Sequence, residues 1–327
     1  AFSLASDYAF TPPTIANAAA TITPKVLTST ASIGGTLTKI YDGTTAATGA
    51  TVSGTVTGGL NNDTLSLNTS GITLAYNSAH VANANAVVAS GSGSLVIGAT
   101  ANNSVATDYA FTAPTIANAA ATITPKVLSS TASIGGTLSK TYDGTTAATG
   151  ATVSGSISGA ITGDTLSLNT AGITLAYNNA HVLSANRVTA TGSGTLSIAS
   201  SASSSVASDY TFTAPTIAAA TASITPKALT STASIGGTLS KTYDGNTSAS
   251  GATVSGSVSG AVAVDTLSLN TSGISLAYNN AHVVGANAVV ASGTSTLTIS
   301  SNTANSVATD YSFNAPTIAD ASAFIAP

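Results

Sequence analysis

Residues 39–54 read KIYDGTTAATGATVSG, residues 140–155 read KTYDGTTAATGATVSG, and residues 241–256 read KTYDGNTSASGATVSG. The three stretches are nearly identical, and each begins 101 positions after the one before it. Internal repetition at a fixed period is the sequence signature of a repeat architecture. This spacing therefore decides how the whole chain is organised.

Residues outside these stretches follow the same step. The three histidines are 101 positions apart, and all ten tyrosines fall on three repeated positions. The copies align without any insertion or deletion. Counting from each repeated proline, we predict that residues 1–23 are the C-terminal strands of a preceding partial repeat and that three repeats follow at 24–124, 125–225 and 226–327.

The length of the period separates two repeat architectures. Solenoid repeats recur every ~20–50 residues, and the chain shows no shorter period within a repeat. A unit of about 100 residues is instead the size of an independent β-sandwich domain. We therefore predict a row of compact domains in an extended array, and not one continuous β-helix.

The composition permits a folded chain and excludes several kinds of function. Hydrophobic residues make up 43% of the 327 and the net charge is only −4, whereas disordered chains combine low hydrophobicity with high charge. The absence of cysteine excludes disulfides and thiol nucleophiles. The seven Lys and Arg residues form no basic patch, so we expect no nucleic-acid partner. No apolar run approaches the ~20 residues that span a bilayer, so we expect no membrane-spanning segment.

Apolar and small polar residues alternate along several short runs of the second repeat. Such runs are typical of half-buried strands, and they occur at 166–168, 173–177, 196–198 and 210–212. Gly and Asn interrupt the runs at short intervals, as they do in turns. The pattern predicts seven to nine strands per repeat, no amphipathic helix, and an all-β fold of tandem Ig-like antiparallel β-sandwich domains.

The Tyr-Asp-Gly triplet has a structural interpretation. Glycine can adopt a positive φ, the aspartate can close an Asx turn, and the tyrosine can bury its ring while its hydroxyl bonds a neighbouring loop. We therefore interpret the triplets as structural turns, with a ligand-binding role as the alternative: Tyr41, Asp42, Gly43, Tyr142, Asp143, Gly144, Tyr243, Asp244 and Gly245.

Each repeat begins with a Pro-Lys pair. Proline restricts φ and biases the preceding residue to extended geometry. We expect short, stiff junctions at these pairs: Pro24 and Lys25, Pro125 and Lys126, Pro226 and Lys227.

The sequence predicts no catalytic, cofactor-binding or metal-ligating residue. One histidine per repeat is too few for a metal site, which needs three or four ligands in one place, so we interpret His80, His181 and His282 as turn residues. Calcium is the one alternative cofactor, at a junction near Asp209 or Asp143, although it needs about six to eight oxygen ligands.

Three short motifs recur in the same order. The sequence ITPK stands at 123–126 and 224–227, K-x-YDG-x-T follows it, and each repeat ends with D-Y-x-F-x-AP. In this combination the chain resembles the YDG repeats, which are tandem Ig-like modules of filamentous-haemagglutinin-like bacterial surface proteins. The resemblance implies export by two-partner secretion and a role in an adhesin or surface fibre. Nothing in the sequence resembles the secretion-signal β-helix of those proteins, so the chain corresponds to a stalk segment.

These observations favour a non-enzymatic extracellular stalk or spacer at the bacterial cell surface, whose partners are the neighbouring repeats. One alternative is a filament subunit, in which residues 1–23 add a strand to another copy. A second alternative is a module that binds a host or surface glycan. Its candidate contacts are aromatic side chains that precede Asn-rich loops, namely Tyr76, Tyr177 and Tyr278.

Overall fold

The computed structural model describes residues 1–99, 103–263, 265–301 and 306–327. The chain is nearly all β, with 47% of its residues in strands and 4% in helices, and the sheets do not close into a barrel. The all-β class and the tandem repeats are thereby confirmed. The helices of the described residues are single 3-10 turns: η1 (Ala5–Asp7), η2 (Ala106–Asp108), η3 (Ala207–Asp209) and η4 (Ala308–Asp310).

Eleven strands recur in each predicted repeat of the described chain. The first repeat contains β1 (Lys25–Val26), β2 (Thr28–Gly35), β3 (Thr38–Ile40), β4 (Ala50–Thr57), β5 (Thr64–Asn68), β6 (Ile72–Tyr76), β7 (Ala86–Gly91), β8 (Ser94–Ala99), β9 (Tyr109–Ala110), β10 (Ala119–Ala120) and β11 (Thr122–Thr124). The second contains β12 (Lys126–Val127), β13 (Ser129–Gly136), β14 (Ser139–Thr141), β15 (Ala151–Ser158), β16 (Thr165–Asn169), β17 (Thr174–Tyr177), β18 (Arg187–Thr191), β19 (Thr195–Ser200), β20 (Tyr210–Thr211), β21 (Ala220–Thr221) and β22 (Ser223–Thr225). The third contains β23 (Lys227–Ala228), β24 (Thr230–Gly237), β25 (Ser240–Thr242), β26 (Ala252–Ser259), β27 (Thr266–Asn270), β28 (Ile274–Tyr278), β29 (Ala288–Gly293), β30 (Thr296–Ser301), β31 (Tyr311–Ser312), β32 (Ala321–Ser322) and β33 (Phe324–Ala326).

The strands form where small polar and apolar residues alternate. Along β24 every second residue is half-buried, with Ser231, Ala233 and Ile235 turned inward between exposed Thr and Ser residues. Strand β24 pairs with β26 in antiparallel register over its full length, from Thr230↔Ser259 to Gly237↔Ala252. The alternation that predicted the strands is therefore also what fixes their register.

Short parallel pairs complete each repeat, and the antiparallel prediction missed them. In the third repeat β25 pairs with β33 and β23 pairs with β31, both in parallel. Parallel pairing needs a crossover connection of a dozen or more residues, and the body of the repeat supplies it. These strands have only two or three residues, which is mostly too short for alternation to reveal, although the run at 210–212 did predict the short strand β20 (Tyr210–Thr211). For the same reason the prediction of seven to nine strands was too low.

The chain divides into two compact units. The first consists of Ala1–Lys126 together with Ser203–Tyr210, and the second of Val127–Ala202 together with Thr211–Pro327. The short segment Ser203–Tyr210, which belongs to the second repeat in sequence, therefore packs with the first repeat.

Each unit contains small hydrophobic cores. In the third repeat Tyr278, Val289 and Ile325 are buried together with two alanines. A separate core in the first repeat contains Leu27, Val56 and Tyr109. Because alanine contributes little volume, the tyrosine rings provide much of the buried apolar surface.

Residues 1–23 are exposed throughout. Tyr8 is 71% exposed, whereas its counterpart Tyr109 is 5% exposed. The strand-donation alternative needs an open sheet edge, but β32 and β33 already pair with β29 and β25 in the third repeat. A strand from another copy would first have to displace them.

Candidate functional site

The Tyr-Asp-Gly triplet forms a tight turn in all three repeats. Gly144 has φ of 78°, and Gly43 and Gly245 have φ of 78° and 79°, a conformation that a residue with a Cβ rarely adopts. The backbone N–H of Thr145 donates to Asp143 Oδ1 over 2.9 Å, which is an Asx turn. The turn therefore has the geometry that its three residue types favour.

A half-buried lysine stabilises this turn by hydrogen bonds. Lys140 Nζ donates to Asp143 Oδ1 at 2.7 Å and to the carbonyl oxygens of Thr145 and Ala147 at 2.8 and 3.1 Å. The same ammonium lies 5.3 Å from the centre of the Tyr177 ring, within the range of a cation–π contact. Burial alone would raise the pKa of Asp143, but hydrogen bonds from Lys140 and Thr145 outweigh it and lower that pKa.

The tyrosines proposed as glycan contacts are not exposed. Tyr76, Tyr177 and Tyr278 are only 3%, 4% and 3% exposed, and a lysine lies over each ring. A glycan contact needs an exposed ring, so the burial of these three rings counts against the glycan alternative. The period-two pattern placed the residues on strands but did not show which face of each strand is covered.

The YDG tyrosine of the second repeat reaches into the third repeat. Tyr142 is 1% exposed, and its hydroxyl lies 2.5 Å from Ser306 Oγ. Its ring meets the Tyr311 ring edge to face, with the centroids 5.5 Å apart at 79°. Burial raises the pKa of Tyr142, so the phenol stays protonated and available for this hydrogen bond.

A histidine and a buried aspartate form a second contact between the same two repeats. His181 Nδ1 lies 2.8 Å from Asp310 Oδ2. The backbone N–H of Val182 donates to Asp310 Oδ1 over 2.9 Å, and that of Val307 donates to Oδ2 over 2.9 Å. Asp310 is 0% exposed, so these donors replace the water that its carboxylate gives up.

We name the four side chains Tyr142, Ser306, His181 and Asp310 the junction clamp. The first unit contains the same arrangement between the first repeat and Ser203–Tyr210. There the Tyr41 hydroxyl lies 2.6 Å from Ser205 Oγ, and His80 Nδ1 lies 2.8 Å from Asp209 Oδ2. The clamp is therefore formed twice in the chain with nearly identical distances.

The clamp lies beside a direct strand-to-strand connection. Pro226 alone separates β22, which ends the second repeat, from β23, which begins the third. Tyr142 also belongs to one hydrophobic cluster with Tyr311, to which Leu229 and Leu267 of the third repeat add apolar surface. The second and third repeats therefore share a core and are not joined by a free linker.

Comparison with known families agrees with this repeated unit. A model of the YDG domain matches residues 23–116, 124–218 and 225–318, which together are most of the chain. The chain belongs to the YDG domain family. No similar protein was found among curated proteins or solved structures.

The YDG family identification bears on the repeat architecture more than on the biological role. It supports tandem YDG repeats but does not extend to filamentous-haemagglutinin-like adhesins or two-partner secretion. YDG is a repeat domain of all-β fold and not a known enzyme family. The boundaries 24–124, 125–225 and 226–327 remain predictions. In the described residues, no helix is both long and apolar enough to cross a membrane.

Three counterparts of the clamp residues are exposed in the described chain, namely Asp108 in the first repeat and Tyr243 and His282 in the third. Tyr243 is 48% exposed and His282 is exposed, whereas Tyr41 and Tyr142 are 1% exposed. Asp108 is likewise exposed, whereas Asp209 and Asp310 are 0% exposed. The same residue types are thus buried or exposed according to whether a neighbouring repeat is present.

The calcium alternative stays a prediction, and its candidate ligands already have partners. Both carboxylate oxygens of Asp209 accept N–H groups, from Val81 at Oδ1 and from Val206 at Oδ2. Asp143 is bound by an ammonium. Within the described ranges, no three His, Asp or Glu side chains are grouped in a way that could hold a metal ion.

Sequence reasoning missed the role of the histidines. The interpretation of the histidines as turn residues agrees with the backbone, since His181 N–H donates to Asn179 Oδ1 at 2.8 Å. It did not include the contact of the imidazole ring with Asp310. The available signal was that one histidine and one D-Y aspartate recur in every repeat. A partner search among recurring polar residues would have linked the histidine with the D-Y aspartate, but not with the aspartate of a particular repeat.

Proposed function

We propose that the chain is a non-enzymatic structural stalk or spacer of a bacterial extracellular adhesin or surface fibre. The supporting observation is the junction between the second and third repeats, where Pro226 is the only residue between two strands and the clamp fixes both sides. A junction of this kind resists bending, whereas a Gly/Ser linker does not. Reach and stiffness are the properties that a stalk needs.

The composition also suits an extracellular role. Exposed Ser and Thr keep the strands hydrated with few charges, since charged residues are only 6% of the chain. A chain without cysteine cannot be trapped by oxidation during export. We therefore place the protein outside the cell, in keeping with the surface proteins that it resembles.

Small-angle X-ray scattering of the full chain tests the stalk proposal. The longest strands have eight residues, which span about 26 Å at ~3.3 Å per residue. With its turns and short flanking strands a repeat is roughly 30–40 Å long, so a stiff row of three should have a maximum dimension on the order of 100 Å. We expect the pair-distance distribution of a rod, with the same maximum dimension at low and at high salt concentration. A compact particle, or the broad distribution of freely jointed domains, would contradict the proposal.

Antibody labelling of intact producing cells tests the location. A stalk at the cell surface is labelled without permeabilisation, and it is removed when the intact cells are treated with protease. Labelling that appears only after permeabilisation would place the chain inside the cell and refute this part of the proposal.

A further inference from the structure

The first and the last strands of a repeat lie side by side and run in the same direction. In the third repeat β23 pairs in parallel with β31, beginning with Lys227↔Tyr311. Further along both segments β25 pairs in parallel with β33, beginning with Ser240↔Phe324. The beginning of the repeat is therefore joined to its end in parallel register at two successive places. We name these two strand pairs the terminal pairs of the repeat.

The first repeat has the same terminal pairs. There β1 pairs in parallel with β9, and β3 pairs in parallel with β11. A side-chain bond joins the two segments between the strand pairs, since the Ser29 hydroxyl donates to the carbonyl oxygen of Thr112 over 2.6 Å. The third repeat has the equivalent bond from Ser231 to Asn314 over 2.8 Å. The arrangement is therefore a property of the repeat and not of one position in the chain.

The parallel direction of the terminal pairs decides how they respond to tension. In a parallel pair, the N-terminal end of the first strand and the C-terminal end of the last strand lie at opposite ends of the pair. Tension on the chain then slides one strand along the other and strains all of their hydrogen bonds together. In an antiparallel pair those two ends lie at the same end, so tension separates the hydrogen bonds one after another. We infer that the repeats bear tension along the chain and that the terminal pairs resist it in shear.

Both strands of the pair β25–β33 are anchored in the body of the third repeat. Lys241, in the middle of β25, donates to Asp244 Oδ1 at 2.7 Å and lies 5.4 Å from the centre of the Tyr278 ring. Its register partner Ile325, in the middle of β33, is 2% exposed and packs with Tyr278 and Val289. Sliding the strands would therefore also expose apolar surface to water, which costs free energy.

Backbone hydrogen bonds extend the pair β25–β33 at both of its ends. Phe324 N–H donates to the carbonyl oxygen of Leu239 over 3.1 Å, and Tyr243 N–H donates to that of Ala326 over 2.8 Å. The second repeat has the equivalent bond from Tyr142 N–H to Thr225. These bonds are strained together with the register pairs when the strands are pulled along their length.

Tension passes directly from the second repeat to the third. Pro226 alone separates β22 from β23. Strand β22 pairs in parallel with β14 of the second repeat, and β23 pairs in parallel with β31 of the third. A pull on either repeat therefore reaches a parallel pair of the other. In a stalk at a cell surface, this resistance keeps the repeats folded while the cell is pulled away from its support.

Optical-tweezers measurements in two pulling directions test the inference on the same hydrogen bonds. The chain has no cysteine, so pairs of introduced cysteines in the full chain can carry the DNA handles at residues that are exposed. The pair Thr238→Cys and Pro327→Cys pulls β25 and β33 in shear. The pair Thr242→Cys and Pro327→Cys pulls on the same end of both strands and unzips them.

The two directions should give different unfolding forces. Shear strains the three register positions together and unzipping strains them singly, so we expect the force to be roughly threefold higher in shear. Equal forces in the two directions, or a lower force in shear, would overturn the inference. Because both measurements leave the strands β25 and β33 intact except for one handle at Thr242, they do not depend on a destabilised variant.

Two substitutions, both measured in the shear direction, separate the terminal pair from the rest of the repeat. Phe324→Pro removes the N–H that donates to Leu239, so we expect the unfolding force to fall roughly twofold. The matched control Val289→Ala deletes apolar volume from the antiparallel sheet and should lower the urea midpoint without lowering the force. If Val289→Ala lowers the force as much as Phe324→Pro does, the force reflects overall stability and the inference is wrong.

The inference goes beyond the stalk proposal, and the two can fail separately. The stalk proposal concerns bending between repeats, which scattering measures, whereas the inference concerns resistance within a repeat, which pulling measures. A chain that bends freely can still resist tension in shear, and a stiff chain can still unfold equally easily in both pulling directions.

Discussion

His181 contacts Asp310, 129 positions further along the chain, with 2.8 Å between Nδ1 and Oδ2. Asp209 is much nearer to it in sequence, yet Asp209 contacts His80 of the first repeat instead. His80 and His181 thus each bind the aspartate of the following repeat and not that of their own. This offset pairing joins the second repeat to the third, and the first repeat to the segment Ser203–Tyr210.

The tyrosine hydroxyl at the clamp should contribute measurably to stability. Tyr142→Phe removes the hydrogen bond to Ser306 and leaves the ring contact with Tyr311 intact, so we expect a loss of about 1 kcal/mol in the free energy of unfolding. Urea denaturation of the full chain measures this loss. The matched control is Tyr243→Phe, since that tyrosine is exposed, and it should change stability very little. Equal effects of the two substitutions would show that the hydroxyl acts within its own repeat.

The buried aspartate should protect a specific backbone N–H from solvent exchange. Val182 N–H donates to Asp310 Oδ1, so Asp310→Ala should accelerate hydrogen exchange at Val182 more than tenfold, while Asp108→Ala leaves it unchanged. NMR exchange measurements resolve this single N–H group. Unchanged exchange at Val182 after Asp310→Ala would mean that the clamp is open in solution.

The three YDG turns should lose stability in acid. The pKa values of Asp42 and Asp143 are lowered because hydrogen bonds from lysine and threonine outweigh the effect of burial, and that of Asp244 is lowered by the hydrogen bond from Lys241. A carboxyl whose pKa is lower in the folded state stabilises the fold above its unfolded pKa of ~3.9. That contribution disappears as the pH falls through the folded pKa.

Unfolding at pH 7 and pH 3 measures this loss. A variant carrying Asn at all three YDG aspartates should lose less stability between the two pH values than the unmodified chain. The exposed Asp320 supplies the control, since Asp320→Asn should leave the acid sensitivity unchanged. A triple variant that keeps the full acid sensitivity would assign the effect to other carboxyls.

The phenol of Tyr311 should resist ionisation. Burial and the hydrogen bond that it donates to Asp265 raise its pKa to about 12. Because the folded pKa is raised, the stabilising contribution is complete below the unfolded pKa of ~10 and is lost as the pH rises toward the folded value. Asp265→Asn should lower the pKa of Tyr311 in an NMR titration. An unchanged pKa would show that burial alone is responsible.

The repeat order and the strands could be predicted because they depend on local patterns. The 101-residue step fixed the number of repeats, the alternation at 173–177 matched β17 (Thr174–Tyr177), and the glycine of each YDG triplet has a positive φ. Most of the short parallel strands could not be predicted, because two or three residues carry no period, and the run at 210–212, which matches β20 (Tyr210–Thr211), is the exception.

The pairing of residues at the clamp could not be predicted from the sequence, for a different reason. When copies are nearly identical, a histidine has the same apparent partner in its own repeat as in the next one. His181 could pair with Asp209 or with Asp310 on equal sequence evidence. Only the three-dimensional packing, which buries Asp310 against the preceding repeat, distinguishes the two pairings. The burial of Tyr177 under Lys140 could not be predicted either, because the sequence does not show that the two side chains meet in the fold.

A double-mutant cycle on the full chain tests the offset pairing most directly. His181→Ala and Asp310→Ala, made singly and together, should show a coupling free energy of about 1–3 kcal/mol in urea unfolding, as expected for residues in direct contact. The matched cycle of His181→Ala with Asp209→Ala should give less than ~0.5 kcal/mol. Strong coupling of His181 to Asp209, with none to Asp310, would contradict the account.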